Sequence, residues 1–226
     1  MRNLLLVLFV FIFGITFSQT GINQELKKEL DAILKSDQIL REFSDLNTTE
    51  VRKAEILKET GYSKLELNRD LWQIVKKTDA KNIKRIEEII AKFGYPGKKI
   101  VGEPTNLACW YLIQHSNEIS KYNSLIQKAG SDGEIPKTNV AMMQDRLLMR
   151  EGKEQIYGTQ GAGRTIVNAE GKEEFFNFIW PIQSPEKVNE LRKKIGFTTT
   201  VEENAKNLGL EYKIFTLLDY EKLKFR

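Results

Sequence analysis

The chain has 226 residues, with 35 lysines and arginines against 31 aspartates and glutamates, and a single cysteine and a single histidine. One cysteine excludes an internal disulfide, and one residue each of His and Cys excludes the usual zinc sites, which draw on several of them. The formal charge of +4 is interleaved with acids in runs such as "ELKKEL" and "KNIKRIEEIIAK", the pattern of solvated helix surface and not the basic stripe of a nucleic-acid binder.

The chain opens "MRNLLLVLFVFIFGITFSQT", where Arg2 precedes an apolar run from Leu4 to Phe13 and small or polar residues follow. This is the layout of a secretory signal peptide, here over 1–18. The run falls short of the roughly 18 apolar residues that span a bilayer comfortably, and no cysteine follows it to carry a lipid. The expectation is an exported, soluble protein, periplasmic or secreted, with no integral membrane segment after cleavage. A helical segment over 19–60 and a main helical domain over 61–226 would make up the remainder.

Leu26, Leu30, Ile33 and Leu34 form one helical stripe between Gly21 and Phe43. Ser63 and Glu66 have capping-box spacing before a helix that turns Leu67, Leu71, Trp72 and Val75 inward. Asp79 reads as the cap of a separate next helix, with Ile83, Ile86, Ile90 and Phe93 inward and Gly94 at its end. After the turn-rich "YPGKKIVGEP", Pro104 suits the start of the helix that carries "NLACWYLIQHS". Helices over 119–129 and 139–150 flank the loop "GSDGEIPKT", and Gly152 stops the second. "TIVNAEGKEEFFNFIW" reads as a β-hairpin around 164–180. Ser184 and Pro185 open a helix that Gly196 ends, Thr200 and Glu203 cap a short one, and the tail "EYKIFTLLDYEKLKFR" offers a further strand. The expected fold class is mainly α, with amphipathic helices packed as an irregular bundle and a small late β-hairpin or sheet (α+β).

"GTQGAGRT" fits a phosphate loop with arginine in place of lysine, but a hairpin follows it where the mechanism needs a helix. Three polar groupings remain. Ala108, Leu112 and His115 share a stripe, so His115 is aimed inward near a helix C-terminus, while Cys109 beside Trp110 reads as a small buried hydrophobe. Asp145 and Arg146, within "AMMQDRLLMREG", bring charge to the edge of an apolar face, where an ion pair between helices is the plain explanation. "YGTQ", Tyr157 to Gln160, is a tight turn presenting a hydroxyl and an amide.

In order, "SDQILRE", "DAKNIKRIEEIIAKFGYPGKKIVGE", "ACWYLIQHS", "GEIP", "DRLLMREGKEQIYGTQ" and "WPIQSPEKVNELRKKIGF" resemble an uncharacterised bacterial domain-of-unknown-function family. That family is marked by a Q-H-[AS] helix end, an Asp-Arg helix and a YGTQ turn. The resemblance runs from about Asp37 to Glu203 and singles out Asp37, Gln38, Arg41, Asp79, Asn82, Gly94, Pro96, Gly97, Trp110, Gln114, His115, Asp145, Arg146 and the YGTQ turn. It carries positions without roles. Asn117 stands where the family commonly has an acidic residue, which leaves open what would orient His115.

Three functions fit. The first is a structural or partner-binding helical domain of unknown molecular function. The second is a module for a small polar or anionic ligand, with Gln114, Arg146, Tyr157, Thr159 and Gln160 binding it beside His115. The third is a metal-independent hydrolase or lyase with His115 as general acid-base and Asp145 as its orienting carboxylate. No metal, cofactor or nucleic acid is assigned. A catalytic histidine needs a carboxylate on one nitrogen and an open second nitrogen, whereas binding alone needs neither.

Overall fold

The computed structural model describes residues 21–45, 47–167 and 170–223, so the expected signal peptide lies outside the described residues. Helix α1, Gln24–Ser44, starts at Asn23, whose side chain accepts from the Leu26 N–H. Helix α2, Glu50–Thr60, is capped by Thr49 and ends at Gly61. Helix α3, Lys64–Phe93, begins with the predicted Ser63–Glu66 capping box and closes at Gly94.

Two details of α3 differ from expectation. It is one unbroken helix of 30 residues, and Asp79 sits in its middle instead of capping a second one. No glycine or proline interrupts it, and the Asp79 carboxylate is taken up by Arg41 Nη2 at 2.7 Å. Trp72 is 64% exposed. The buried stripe runs through Leu67, Val75, Asn82, Ile86 and Ile89, and Trp72 is turned about a quarter of a helical revolution from its centre.

A short helix α4, Lys98–Val101, and a 3-10 turn at Thr105–Leu107 lead into α5, Ala108–His115. Pro104 therefore precedes the 3-10 turn and not the α-helix itself. Helices α6, Ile119–Ser131, and α7, Lys137–Arg150, follow as an antiparallel pair around the "GSDGEIPKT" loop. Strands β1, Gly161–Val167, and β2, Glu173–Ile179, form an antiparallel hairpin with Gly161 opposite Ile179. Helices α8, Val188–Ile195, α9, Val201–Asn207, and α10, Leu217–Leu223, complete the described residues. The Thr200–Glu203 capping box of α9 is present.

The tail adds no strand among the described residues: the hairpin is two-stranded and residues 217–223 are helical. Its apolar residues pack instead. Leu210 and Tyr212 lie on the α8–α9 cluster, and Phe215, Leu217 and Tyr220 cover Phe178 and Trp180 of the hairpin. The aromatic faces draw the tail over the sheet and leave its edge unextended.

Helices α1, α3 and α5 meet around Leu30, Ile86, Ile89, Ala108 and Leu112. The opposite face of α5 packs Trp110 and Ile113 against Ile126 of α6 and Met143 of α7. Helix α5 is thus the buried axis of the molecule. Its last turn is where both groups of polar side chains converge. No helix among the described residues is long and apolar enough to cross a membrane.

Candidate functional site

His115 ends α5, and its ring faces α1. Nδ1 lies 2.9 Å from Oδ2 and 3.1 Å from Oδ1 of Asp37, a residue only 1% exposed. The same carboxylate accepts from Arg41 Nη1 at 3.0 Å and from the Gln38 amide. An ionised carboxylate only accepts, so Nδ1 carries the hydrogen and a neutral ring keeps its lone pair on Nε2. Nε2 makes no protein hydrogen bond among the described residues, and the side chain is 19% exposed. Arg41 continues the chain to Asp79 at 2.7 Å, and Asn82, one turn on, donates to Ser36 at 2.9 Å. Asp37, Gln38, Arg41, Asp79 and His115, five positions marked by the family resemblance, form one hydrogen-bonded chain at the crossing of three helices.

Asp145 does something else. Fully buried on α7, its carboxylate accepts from the N–H groups of Ile156 at 2.8 Å, Tyr157 at 3.1 Å and Thr159 at 3.1 Å, and from the Thr159 hydroxyl at 2.9 Å. It is the anchor of the YGTQ turn. It does not orient His115, and the expected ion pair between helices is absent among the described residues: its partners are the turn N–H groups and the Thr159 hydroxyl. Burial pushes its carboxyl above the ordinary carboxylate range, against the opposing pull of these donors.

Three residues that sequence reasoning missed complete this anchor. Gln155, fully buried, donates to the carbonyls of Gln160 and Trp180 and accepts from the Gln160 N–H, tying the turn to the hairpin exit. Arg192 donates to the carbonyls of Tyr157 and Thr199, and Asn204 to that of Gly158. Arg192 had a legible signal: it sits on the apolar stripe of α8 between Val188 and Ile195. Gln155 had none. Gly158 is required, since its φ is +65° and a Cβ there would sit 2.6 Å from Val201 and 2.8 Å from Ile182.

Arg146 faces away from Asp145, half-buried against the end of α5. The Gln114 side-chain oxygen, oriented toward the guanidinium, accepts from Nε and Nη2 at 3.3 Å each. Arg150, one turn along, donates to the carbonyls of Gln114 and Ser116, which end α5 without helical partners. Among the described residues no carboxylate pairs with Arg146 or Arg150. Arg146, Thr159 and Gln160 line one cleft, of about 330 Å³. Tyr157 lines a different one, beside Val140 and Gln144. His115 lines neither. Thus Gln114 joins the two polar groups through the backbone of α5, while the expected ligand residues divide between two clefts.

Cys109 is buried in the α1–α3–α5 core, where burial pushes its thiol well above the ordinary range. That is the inert, structural state.

The fold and this arrangement define a mainly helical protein with a late β-hairpin and a carboxylate-held histidine at the end of its central helix. Residues 24–214 match a family of unknown function, DUF6624, and the chain belongs to that family. No curated protein and no solved structure matches it.

Proposed function

We propose that the protein is an acid–base catalyst of the hydrolase or lyase class, with His115 as the group that moves the proton. One observation carries this reading: Nδ1 is held by a buried carboxylate, Asp37, while Nε2 has no hydrogen bond among the described residues and the ring is partly exposed. A carboxylate on one nitrogen and a free second nitrogen is the arrangement that proton transfer requires. Asp37 is the positioning carboxylate, fixing the tautomer and steadying the imidazolium as it forms. Arg41 and Asp79 hold Asp37 in turn.

The test is turnover of ester, amide, phosphoester and glycoside probes by wild type and by His115→Gln. Activity that survives intact in the variant would sink the proposal. The purely structural reading retains support at Asp145, Gln155 and Arg192, whose polar atoms are spent on backbone groups and the hydroxyls of Thr159 and Thr199.

Export is also part of the proposal, supported by the charged, apolar and small-residue order of residues 1–18. N-terminal sequencing of the protein recovered from an expressing bacterium should find a chain beginning near Gln19. Recovery of the chain with Met1 retained would contradict it.

A further inference from the structure

Arg146 is a half-buried guanidinium whose side-chain partner is a neutral amide, and it opens onto a cleft lined by no acidic side chain. Buried cations normally find carboxylates, as Arg41 does with Asp37 and Asp79. Burial and the nearby charge of Arg150 both press against the cation at 146, and an anion in the cleft would relieve both.

The cleft walls say what else such a ligand would carry. Gln160 and Asn177 place two amides along one side, where the Thr159 hydroxyl is taken by Asp145, and Leu208 and Leu210 supply an apolar floor. The β1 wall is kept low by Gly163, where a Cβ would collide with the Asn177 side chain and the Phe175 ring. Gln114 occupies Nε and Nη2 of the guanidinium, which leaves Nη1 with no protein acceptor among the described residues. One free edge of one guanidinium suits a monoanion. A phosphate dianion ordinarily draws on more cations or on a set of backbone N–H groups.

We infer that the cleft between Arg146 and the start of the hairpin binds a small carboxylate with a compact apolar body, the carboxylate on Arg146 and the apolar part on Leu208 and Leu210. Gln114 is a positioning residue there, holding the guanidinium plane. This site is separate from the cleft of Tyr157 and does not depend on His115, so it can fail or stand independently of the catalytic proposal.

The probe is isovalerate, with its neutral isostere isovaleramide and inorganic phosphate as controls, followed by the backbone amide signals of Thr159, Gln160 and Asn177. Isovalerate should shift all three saturably, isovaleramide should bind at least about tenfold more weakly, and Arg146→Gln should lose at least about tenfold in affinity. Arg146→Lys, which keeps the charge, should retain part of the binding with the fold intact. No saturable shift, equal binding of acid and amide, or affinity unchanged in Arg146→Gln would overturn the site. Saturation by phosphate but not by isovalerate would overturn the ligand class.

Discussion

Asp145→Ala should destabilise the protein by about 3–5 kcal/mol, read as a shift in the urea midpoint at unchanged slope. The carboxylate is fully buried and takes three backbone N–H groups and one hydroxyl. Alanine leaves all four donors without an acceptor, each costing about 1–3 kcal/mol unless water enters. The turn would then be held by Gln155, Arg192 and Asn204 alone.

The loss should also depend on pH in a defined direction. Burial raises this carboxyl above its ordinary value of 3.8. A raised folded-state pKa contributes stability that is present below the unfolded value and lost as pH rises through the folded one. Wild type should therefore lose stability relative to Asp145→Asn as pH rises through that interval. A midpoint unmoved by Asp145→Ala would mean that the YGTQ turn is held by other contacts.

The second large effect falls on activity. His115→Gln removes the proton-transferring nitrogen and should lower kcat by about 10²–10⁴-fold on whatever probe the wild type turns over. Its stability should change by less than about 1.5 kcal/mol, because the ring is partly exposed and glutamine can still donate to Asp37. Asp37→Asn should cost a comparable factor in kcat for a different reason. An amide in place of the carboxylate can face Nδ1 with its NH₂ and favour the wrong tautomer. Asp145→Asn, compared while folded, should leave kcat near wild type, since Asp145 lies among the turn amides and not beside His115. Loss of kcat in Asp145→Asn equal to that in Asp37→Asn would return the orienting role to Asp145.

Local chemistry was legible in the sequence where it was short-range. The capping boxes at Ser63 and Thr200, the helix stops at Gly94 and Gly196, and the hairpin all lie where composition and spacing place them. Asp79 misled because an aspartate before an apolar stripe looks like a cap. The helix runs through it without a break, and its carboxylate goes to a tertiary partner, Arg41, instead of a helix start. The partner of His115 was out of reach for the same reason. Asp37 is 78 residues away in the chain, and a contact made by the crossing of α1 and α5 leaves no periodicity to read. Asp145 and Arg146 read as charges for an ion pair between helices, yet the one holds the turn N–H groups and the other the Gln114 amide. The resemblance gathered the members of the His115 chain without saying that they touch.

The most direct measurement of the central claim uses the fact that the chain holds one histidine. Long-range ¹H–¹⁵N spectra of the neutral imidazole, in untagged protein, report which ring nitrogen carries the hydrogen. The account predicts hydrogen on Nδ1, bonded to Asp37, and a bare Nε2 that shifts to the other tautomer or to a mixture in Asp37→Asn. Hydrogen on Nε2 in the folded wild type, unchanged by Asp37→Asn, would contradict the positioning of His115 by Asp37 and with it the acid–base proposal.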